Sequence, residues 1–95
     1  MKILAIECEI AGLENPDFEP HLRHEAFRAW ELFKLGFFRE MYFNEHQEAV
    51  IILECCGTTH AEEILSTLPL VREGLIAFKV MELKPYNGFQ RLFKE

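Results

Sequence analysis

Hydrophobic and polar positions alternate over residues 2–10, at the beginning of the chain. One side of this segment is apolar, and the other passes from apolar residues to two acidic ones. The first side carries Leu4, Ile6, Cys8 and Ile10, and the second carries Ile3, Ala5, Glu7 and Glu9. A repeat of two residues is typical of a β-strand whose two faces have different surroundings, so we expect the first strand here.

A helical repeat replaces the alternation over residues 18–35. Its apolar positions form one stripe, which consists of Leu22, Ala26, Ala29, Trp30 and Phe33. Asp17 before the helix, Pro20 in its first turn and Gly36 after it are residue types that begin and end helices. An apolar stripe on a surface helix normally faces the core, so we expect Trp30 to be packed there.

Two further strands follow as a hairpin. Residues 37–43 are rich in aromatic side chains, residues 44–48 are polar, and residues 49–56 contain the run Val50-Ile51-Ile52-Leu53. A short polar loop between two such segments is typical of a β-hairpin. Because the run is apolar on both faces, we expect a central strand that is covered on both sides. The aromatic side chains before the loop are expected mainly in the core and at an interface.

A second helix and a fourth strand complete the pattern. Thr59 and Glu62 have the spacing of a capping box, in which the threonine side chain bonds the glutamate amide and the glutamate reaches back. The apolar stripe of this helix comprises Ala61, Ile64, Leu65 and Leu68. We expect the helix to end before Pro69, because a residue that precedes proline disfavours the helical conformation. Residues 75–83 are predicted to form the fourth strand.

The predicted order is strand, helix, strand, strand, helix, strand, in a single domain over residues 1–95. This α+β order is that of the ferredoxin-like split βαβ fold, whose two helices cover one face of the sheet. The other face is left bare, although the middle strand is apolar on both sides. Two copies that place their bare faces together would bury these residues and enclose a cavity. We therefore expect a homodimer that forms an α+β barrel, with higher assembly left open.

Residues 84–95 form a C-terminal extension that is rich in aromatic side chains. A chain of 95 residues buries only about 60–65% of the surface of its unfolded form, so it has little surface of its own to cover this extension. We expect residues 85–93 to pack across or beside a dimer interface of more than about 1,200 Å². Removing residues 85–95 should then weaken association.

Composition and charge narrow the classes of partner. Hydrophobic residues make up 49% of the chain, which indicates a folded domain, and the net charge is -6. An acidic chain is a poor partner for nucleic acid, because phosphate binding needs a basic surface. No apolar run in the sequence approaches the roughly 18 residues of a membrane span. Glu7 comes too early for a signal peptide, so we expect a cytoplasmic protein without a membrane partner.

The cysteines Cys8, Cys55 and Cys56 lie in apolar, strand-like segments. They are expected to be buried, reduced thiols that pack as small hydrophobic groups, with a redox pair between the adjacent Cys55 and Cys56 as the alternative. No spacing of cysteine and histidine matches a zinc site, and no residue stands out as an axial haem ligand. We therefore expect no metal and no cofactor.

The Leu68-Pro69-Leu70 turn and the strand that follows it resemble the C-terminal part of the muconolactone isomerase family. Residues 30–40 are also similar to small uncharacterised proteins related to that family. In element order the resemblance covers most of the chain. It implies a dimeric α+β barrel, and for the isomerase itself it implies a proton shift across a lactone without a metal or a cofactor.

A proton shift beside a carbonyl group needs a base, an acid and a group that holds the enolate oxygen. Glu7 and Glu54 are the preferred bases, because apolar surroundings allow a carboxylate to accept a proton near neutral pH. His24 is the preferred histidine, since it lies near the start of the first helix, where residues often rim a cavity in this fold. Tyr42, on the second predicted strand, is the fourth candidate.

Each candidate also has a purely structural interpretation. Glu7 and Glu54 can be paired with Lys79 or Arg39 or can face solvent, and His24 can lie on the exposed side of its helix. Two hypotheses for function therefore remain. The first is a small cofactor-free isomerase that transfers a proton on a small lactone or unsaturated acid in the barrel cavity. The second is a non-catalytic dimeric module that binds a ligand or is only structural.

Overall fold

The computed structural model describes residues 1–93. Its elements are β1 (Lys2–Glu9), α1 (Leu22–Lys34), β2 (Phe38–Phe43), β3 (Ala49–Glu54), α2 (Thr58–Leu65), α3 (Pro69–Arg72) and β4 (Ile76–Leu83). Two 3₁₀ helices lie at Glu19–His21 and Gly88–Phe93. No helix in this part of the chain is long and apolar enough to cross a bilayer. The predicted order of strands and longer helices is confirmed, and α3 is an addition.

The strands form one sheet in the order β2-β3-β1-β4, and all neighbouring strands are antiparallel. β3 is a central strand, as predicted, and β2 and β4 lie at the edges. The predicted hairpin loop is also present, because the side-chain oxygen of Asn44 accepts hydrogen bonds from the amides of His46 and Glu48. The protein is thus a small α+β domain that is compatible with the ferredoxin-like fold.

The hydrophobic core lies between the helices and one side of the sheet, which we call the helix-covered face. Its central strand residues are at most 2% exposed and comprise Ile3, Ala5, Ile51 and Leu53. Against them pack the apolar residues predicted for the second helix, Ala61, Ile64, Leu65 and Leu68. That stripe is therefore confirmed, whereas α1 contributes a single buried residue, Leu32.

The opposite side of the sheet, which we call the bare face, is covered by no helix of residues 1–93. It carries partly exposed apolar side chains from the two central strands, Leu4, Ile6, Val50 and Ile52. Met81 of β4 adds to this surface and is 36% exposed. The predicted apolar face without a helix is thus present. The expectation that β3 is covered on both sides is not met within one chain, since nothing in residues 1–93 lies over this face.

A bulge in β2 decides which of its side chains reach the core. The register of β2 against β3 shifts between Phe38 and Glu40. Phe38 is therefore opposite Leu53 on the helix-covered face, while Glu40 is opposite Ile52 on the bare face. A bulge of this kind inserts one extra residue and reverses the alternation beyond it. It places Tyr42 on the bare face, although Tyr42 lies four positions after Phe38 and would share its face in a regular strand.

The end of α1 matches its prediction, and the start of α2 does not. Gly36 has a φ of 88°, and its amide and that of Phe37 bond the last carbonyls of α1 at 3.0 and 3.1 Å, as in a Schellman motif. The predicted capping box of Thr59 is wrong, because α2 begins at Thr58 and Gly57 is its N-cap. Thr59 therefore lies inside the first turn, where its hydroxyl has no capping role.

Several side chains that were expected in the core or at an interface are exposed in the single chain. Phe38 is 1% exposed, but Tyr42 and Phe43 on the same strand are 58% and 72% exposed. β2 is an edge strand, so its outer half has a neighbour on one side only. Cys55 is buried as predicted, whereas Cys8 and Cys56 are exposed, and all three are free thiols.

Residues 85–93, which we call the tail, project from the domain. The radius of gyration is 15.8 Å, compared with about 13 Å for a compact chain of this length. The longest dimension is 60 Å, about twice the ~27 Å that an eight-residue strand such as β4 spans. Phe89, Leu92 and Phe93 are 67–82% exposed. The tail is therefore an apolar segment that its own chain leaves uncovered.

Candidate functional site

An apolar cleft lies between α1 and the helix-covered face of the sheet. Its volume is about 670 Å³, which is within the range of pockets that bind small molecules. The lining is mostly aromatic and aliphatic, and its larger side chains include Trp30, Phe33, Phe38, Phe43, Leu70 and Phe78. A cleft of this size and character can hold a small, largely apolar molecule.

The apolar stripe of α1 forms one wall of this cleft. Trp30 is 55% exposed and stacks on Phe33, with 5.7 Å between the ring centroids. The amino group of Lys34 lies 5.7 Å from the centre of the Trp30 ring. The prediction that Trp30 is packed in the core is therefore wrong. Leu32, on a neighbouring side of the helix, is the residue that enters the core.

Two carboxylates line the cleft, Glu7 from β1 and Glu25 from α1. Glu7 continues the side of β1 that carries Ile3 and Ala5, so the alternation of the strand brings it to the helix-covered face. Glu25 follows Leu22 by one helical turn and lies on the same side of α1. Glu7 thus reaches the cleft on the core-facing side of β1, and Glu25 reaches it on the side of α1 that carries Leu22.

Each carboxylate is held by a backbone amide. Glu7 Oε1 accepts a hydrogen bond of 3.0 Å from the amide of Ala49, just beyond the last β1–β3 pair. Glu25 Oε1 accepts a bond of 2.9 Å from the amide of Leu70. Leu70 is the second residue of α3, and amides in the first turn of a helix have no partner within that helix. The short helix α3 therefore positions Glu25.

The surroundings of Glu25 favour its protonated form. Burial raises the pKa of Glu25 above its ordinary value of 4.5, and the negative charge of Glu7 acts in the same direction. The amide of Leu70 and the positive charges of Arg72 and His21 oppose this effect and lower the pKa. The net direction is upward. The cleft thus combines a carboxyl group that retains its proton to higher pH with a second carboxylate.

This raised pKa predicts a pH-dependent stability that Glu25→Gln removes. Folding strengthens proton binding at Glu25, so its contribution is complete below the unfolded pKa near 4.5 and is lost as pH rises through the folded pKa. Glutamine has no carboxyl proton, but its oxygen can still accept the Leu70 amide. Urea unfolding should therefore show a steeper fall in the free energy of unfolding above pH 4.5 for the unmodified chain than for the variant.

Glu25→Ala is the control for this measurement. It removes the charge and also leaves the Leu70 amide without its acceptor, so we expect a loss of about 1–3 kcal/mol at every pH. The free energies of unfolding of the unmodified chain and of Glu25→Gln are then compared at each pH. Parallel curves of stability against pH for the unmodified chain and Glu25→Gln would rule out the raised pKa.

The four candidates from the sequence are not brought together. Glu7 lines the cleft, but His24 is exposed on α1 and does not line it. Tyr42 lies on the bare face and donates a 2.7 Å hydrogen bond to Glu40, a contact that raises the pKa of Tyr42. Glu54 is also on the bare face, where its Oε1 is 3.2 Å from the amino nitrogen of Met1. The sheet therefore separates Glu7 from both Tyr42 and Glu54.

Glu25 lines the cleft but was not among the site residues predicted from the sequence. It lies three residues after Leu22 and four before Ala29, inside the apolar stripe. An acidic residue within such a stripe is a signal that was available in the pattern. Its hydrogen bond to α3 could not be predicted from the pattern, because residues 68–70 were expected to form a turn. Residues 1–93 contain no group of three or more His, Cys, Asp or Glu side chains that could hold a metal ion.

Comparison with known proteins adds no relative to this picture. No protein-family model matches the chain, and no curated protein is similar to it. The resemblance to the muconolactone isomerase family therefore stays a hypothesis. The cleft and its two carboxylates are the features that bear on the chemistry of the site.

Proposed function

We propose that the protein is a small enzyme that moves a proton on a neutral carbonyl compound, such as a lactone, bound in the cleft beside α1. The observation that carries this proposal is the pair of carboxylates in an otherwise apolar cleft. A raised pKa at Glu25 supports it, because a proton donor must keep its proton at the working pH. Two acids in different environments are a common basis for assigning the acid and the base.

The lining of the cleft favours a neutral substrate over an unsaturated acid. Among the described residues that form it, none is Lys or Arg, and Gln47 is the further polar side chain. An anionic substrate would meet the charge of Glu7 with no Lys or Arg in the lining to pair with it. A lactone ring would instead lie against aromatic side chains of the lining, whose faces are apolar.

The proposed reaction uses each carboxyl group once. On a β,γ-unsaturated lactone, Glu7 removes a proton from the carbon between the carbonyl group and the double bond, and the electron pair of that C–H bond moves into a dienolate. Glu25 donates its proton to the far carbon of the dienolate, which shifts the double bond. Gln47 supplies an amide donor for the oxygen while it carries the negative charge. Afterwards Glu7 is protonated and Glu25 is ionised, and proton exchange with solvent after the product leaves restores both.

Assembly and family form a second part of the proposal. We infer that the domain has the ferredoxin-like fold and pairs through its bare face as a homodimeric α+β barrel of the muconolactone isomerase type. Leu4, Ile6 and Ile52 support this pairing, because an apolar sheet face of this kind is normally covered. The order of elements supports the family. We place the ligand site in the cleft and not in the barrel interior predicted from the sequence, since the two carboxylates lie on the helix-covered face.

Small lactones and matching open-chain unsaturated acids test this function. We expect the lactones to bind, as measured by the emission of Trp30, and to exchange the proton beside the carbonyl group for deuterium in heavy water, as followed by NMR. The acids should bind at least about tenfold more weakly because of the charge of Glu7. Tyr42→Phe, on the other side of the sheet, is the control and should leave both measurements unchanged.

The alternative function is a non-catalytic module that binds a ligand or is only structural. The exposed aromatic wall of α1 favours it, because such a surface is also typical of a binding site for another molecule. Lactones that bind in the cleft without proton exchange would support this alternative. A complete lack of lactone binding would disprove the proposed enzymatic function.

A further inference from the structure

The tail has an apolar edge of its own. Phe89 and Leu92 are three residues apart in the 3₁₀ helix Gly88–Phe93, where side chains with this spacing lie above one another. Tyr86 and Phe89 meet edge to face, with 4.9 Å between their ring centroids. All three side chains are more than two-thirds exposed. The tail thus presents a continuous apolar edge that its own chain does not cover.

The tail leaves its own domain at the wrong end to reach the cleft. Leu83, the last residue of β4, is paired with Lys2, whereas Phe78 is paired with Glu7 in the cleft. These two levels of β4 are five residues apart, or about 17 Å along the strand. Because the tail projects onward from Leu83, it extends away from the cleft of the same chain.

The cleft has an open apolar side, and no Lys or Arg is among the described residues that line it. Its wall residues Trp30 and Phe33 are about half exposed, and Glu7 and Glu25 line the same cleft. The tail supplies apolar side chains together with the guanidinium of Arg91. Arginine is well suited to bind a carboxylate through two parallel hydrogen bonds. The tail therefore complements the cleft both in its apolar surface and in its charge.

We propose that the tail of a second copy closes this cleft. The apolar edge of that tail lies against Trp30 and Phe33, and Arg91 of the second copy faces the carboxylates of Glu7 and Glu25. The closed site excludes water and contains a guanidinium group, which no residue lining the cleft of the single chain supplies. The inference rests on the proposed bare-face dimer for the reach of the tail, and on the proposed reaction only for the effect of closure on turnover. Docking of the tail is measured without any substrate.

The tail is long enough for this exchange. β4 is an edge strand, so a chain that leaves it can pass around the edge of a partner sheet. Two sheets packed face to face are about 10 Å apart. Residues 88–93 form a 3₁₀ helix that rises about 2.0 Å per residue, so with residues 85–87 extended the tail spans about 22 Å. The tail can therefore run from one bare-face dimer partner to the helix-covered side of the other.

Trp30 is the single tryptophan of the chain and lies in the cleft, so its emission reports closure. We expect a dilution series of the full-length protein to show dimers by sedimentation velocity. The emission of Trp30 should shift to shorter wavelength with the same midpoint in protein concentration. Equal midpoints are expected because one event buries the indole and joins the two chains.

Variants of the full chain assign this signal to the tail. Phe89→Ala with Leu92→Ala should weaken dimerisation at least about tenfold and abolish the Trp30 shift. Both side chains are exposed in the single chain, so the fold should persist, as circular dichroism would verify. Leu13→Ala, which removes an exposed leucine from a loop, is the matched control and should change neither measurement.

The charge contact is tested by a double-mutant cycle. Arg91→Glu should weaken dimerisation at low salt, and the loss should shrink in a chain that also carries Glu7→Gln and Glu25→Gln. A loss of the same size in both backgrounds would overturn the contact between Arg91 and the carboxylates.

Three results would overturn tail exchange itself. The first is a protein that stays monomeric at every concentration. The second is a Trp30 emission that does not depend on concentration. The third is a tail variant that still dimerises with an unchanged shift. A chain that passes these tests but neither binds nor turns over lactones would disprove the proposed function and leave the exchange intact.

Discussion

In the proposed reaction, replacing Glu25 with glutamine should lower the turnover of a lactone by about 10²–10⁴-fold, the usual contribution of a general acid. Glutamine can keep the hydrogen bond from the Leu70 amide, so the cleft retains its shape, but it has no carboxyl proton to donate. Binding of the lactone, followed by Trp30 emission, should change little. The measurement is kcat and KM for both proteins, and the loss should appear in kcat.

The pH profile of the same reaction has an expected direction. Glu25 is the acid of the proposed reaction, so the rate of the unmodified protein should fall as pH rises through the raised pKa of this residue. Glu54→Gln is the matched control, because it alters a glutamate on the bare face and should keep full turnover. Full turnover in Glu25→Gln would show that the proton comes from another group.

Replacing Phe38 with alanine destabilises the domain by about 3–5 kcal/mol, the usual cost of removing a buried phenylalanine. The side chain is 1% exposed and belongs to the core between β2, β3 and the helices. A loss of this size approaches the whole stability of a small domain. Urea unfolding followed by circular dichroism measures it, with part of the variant expected to be unfolded before urea is added.

Phe43→Ala is the control for this substitution. It removes the same side chain from the same strand, but Phe43 is 72% exposed, so we expect a change within about 0.5 kcal/mol. The contrast depends on the bulge and on the edge position of β2. If both variants lost equal stability, the assignment of Phe38 to the core and of Phe43 to the open cleft would be wrong.

Residues with strong periodicity and clear end signals were assigned correctly from the sequence. The alternation of residues 2–10 became β1, and Gly36 ends α1 as predicted. Such features depend on neighbours in the chain, so local chemistry is enough to assign them. The capping box failed for a local reason as well, because α2 begins one residue earlier than Thr59 and the hydroxyl lies past the N-cap position.

The site was only half predictable. Glu7 was selected for its place in β1, and it does line the cleft. Tyr42 was selected beside it, but the bulge at Phe38 reverses the alternation of β2, and a bulge has no clear signal in this sequence. Glu25 was not selected because its partner is Leu70, which is 45 residues away along the chain. Contacts at such separations depend on how helices and strands pack.

The sequence by itself determined the order of the strands and longer helices, the apolar character of both sheet faces, and the presence of an uncovered aromatic tail. These properties follow from the repeat of side chains along each segment, which the backbone geometry converts directly into faces. The tertiary structure decided which face carries a cleft. It placed Glu7 and Glu25 together in that cleft. It also placed Trp30 in the cleft wall and not in the core, because the packing of the elements decides what each face contacts.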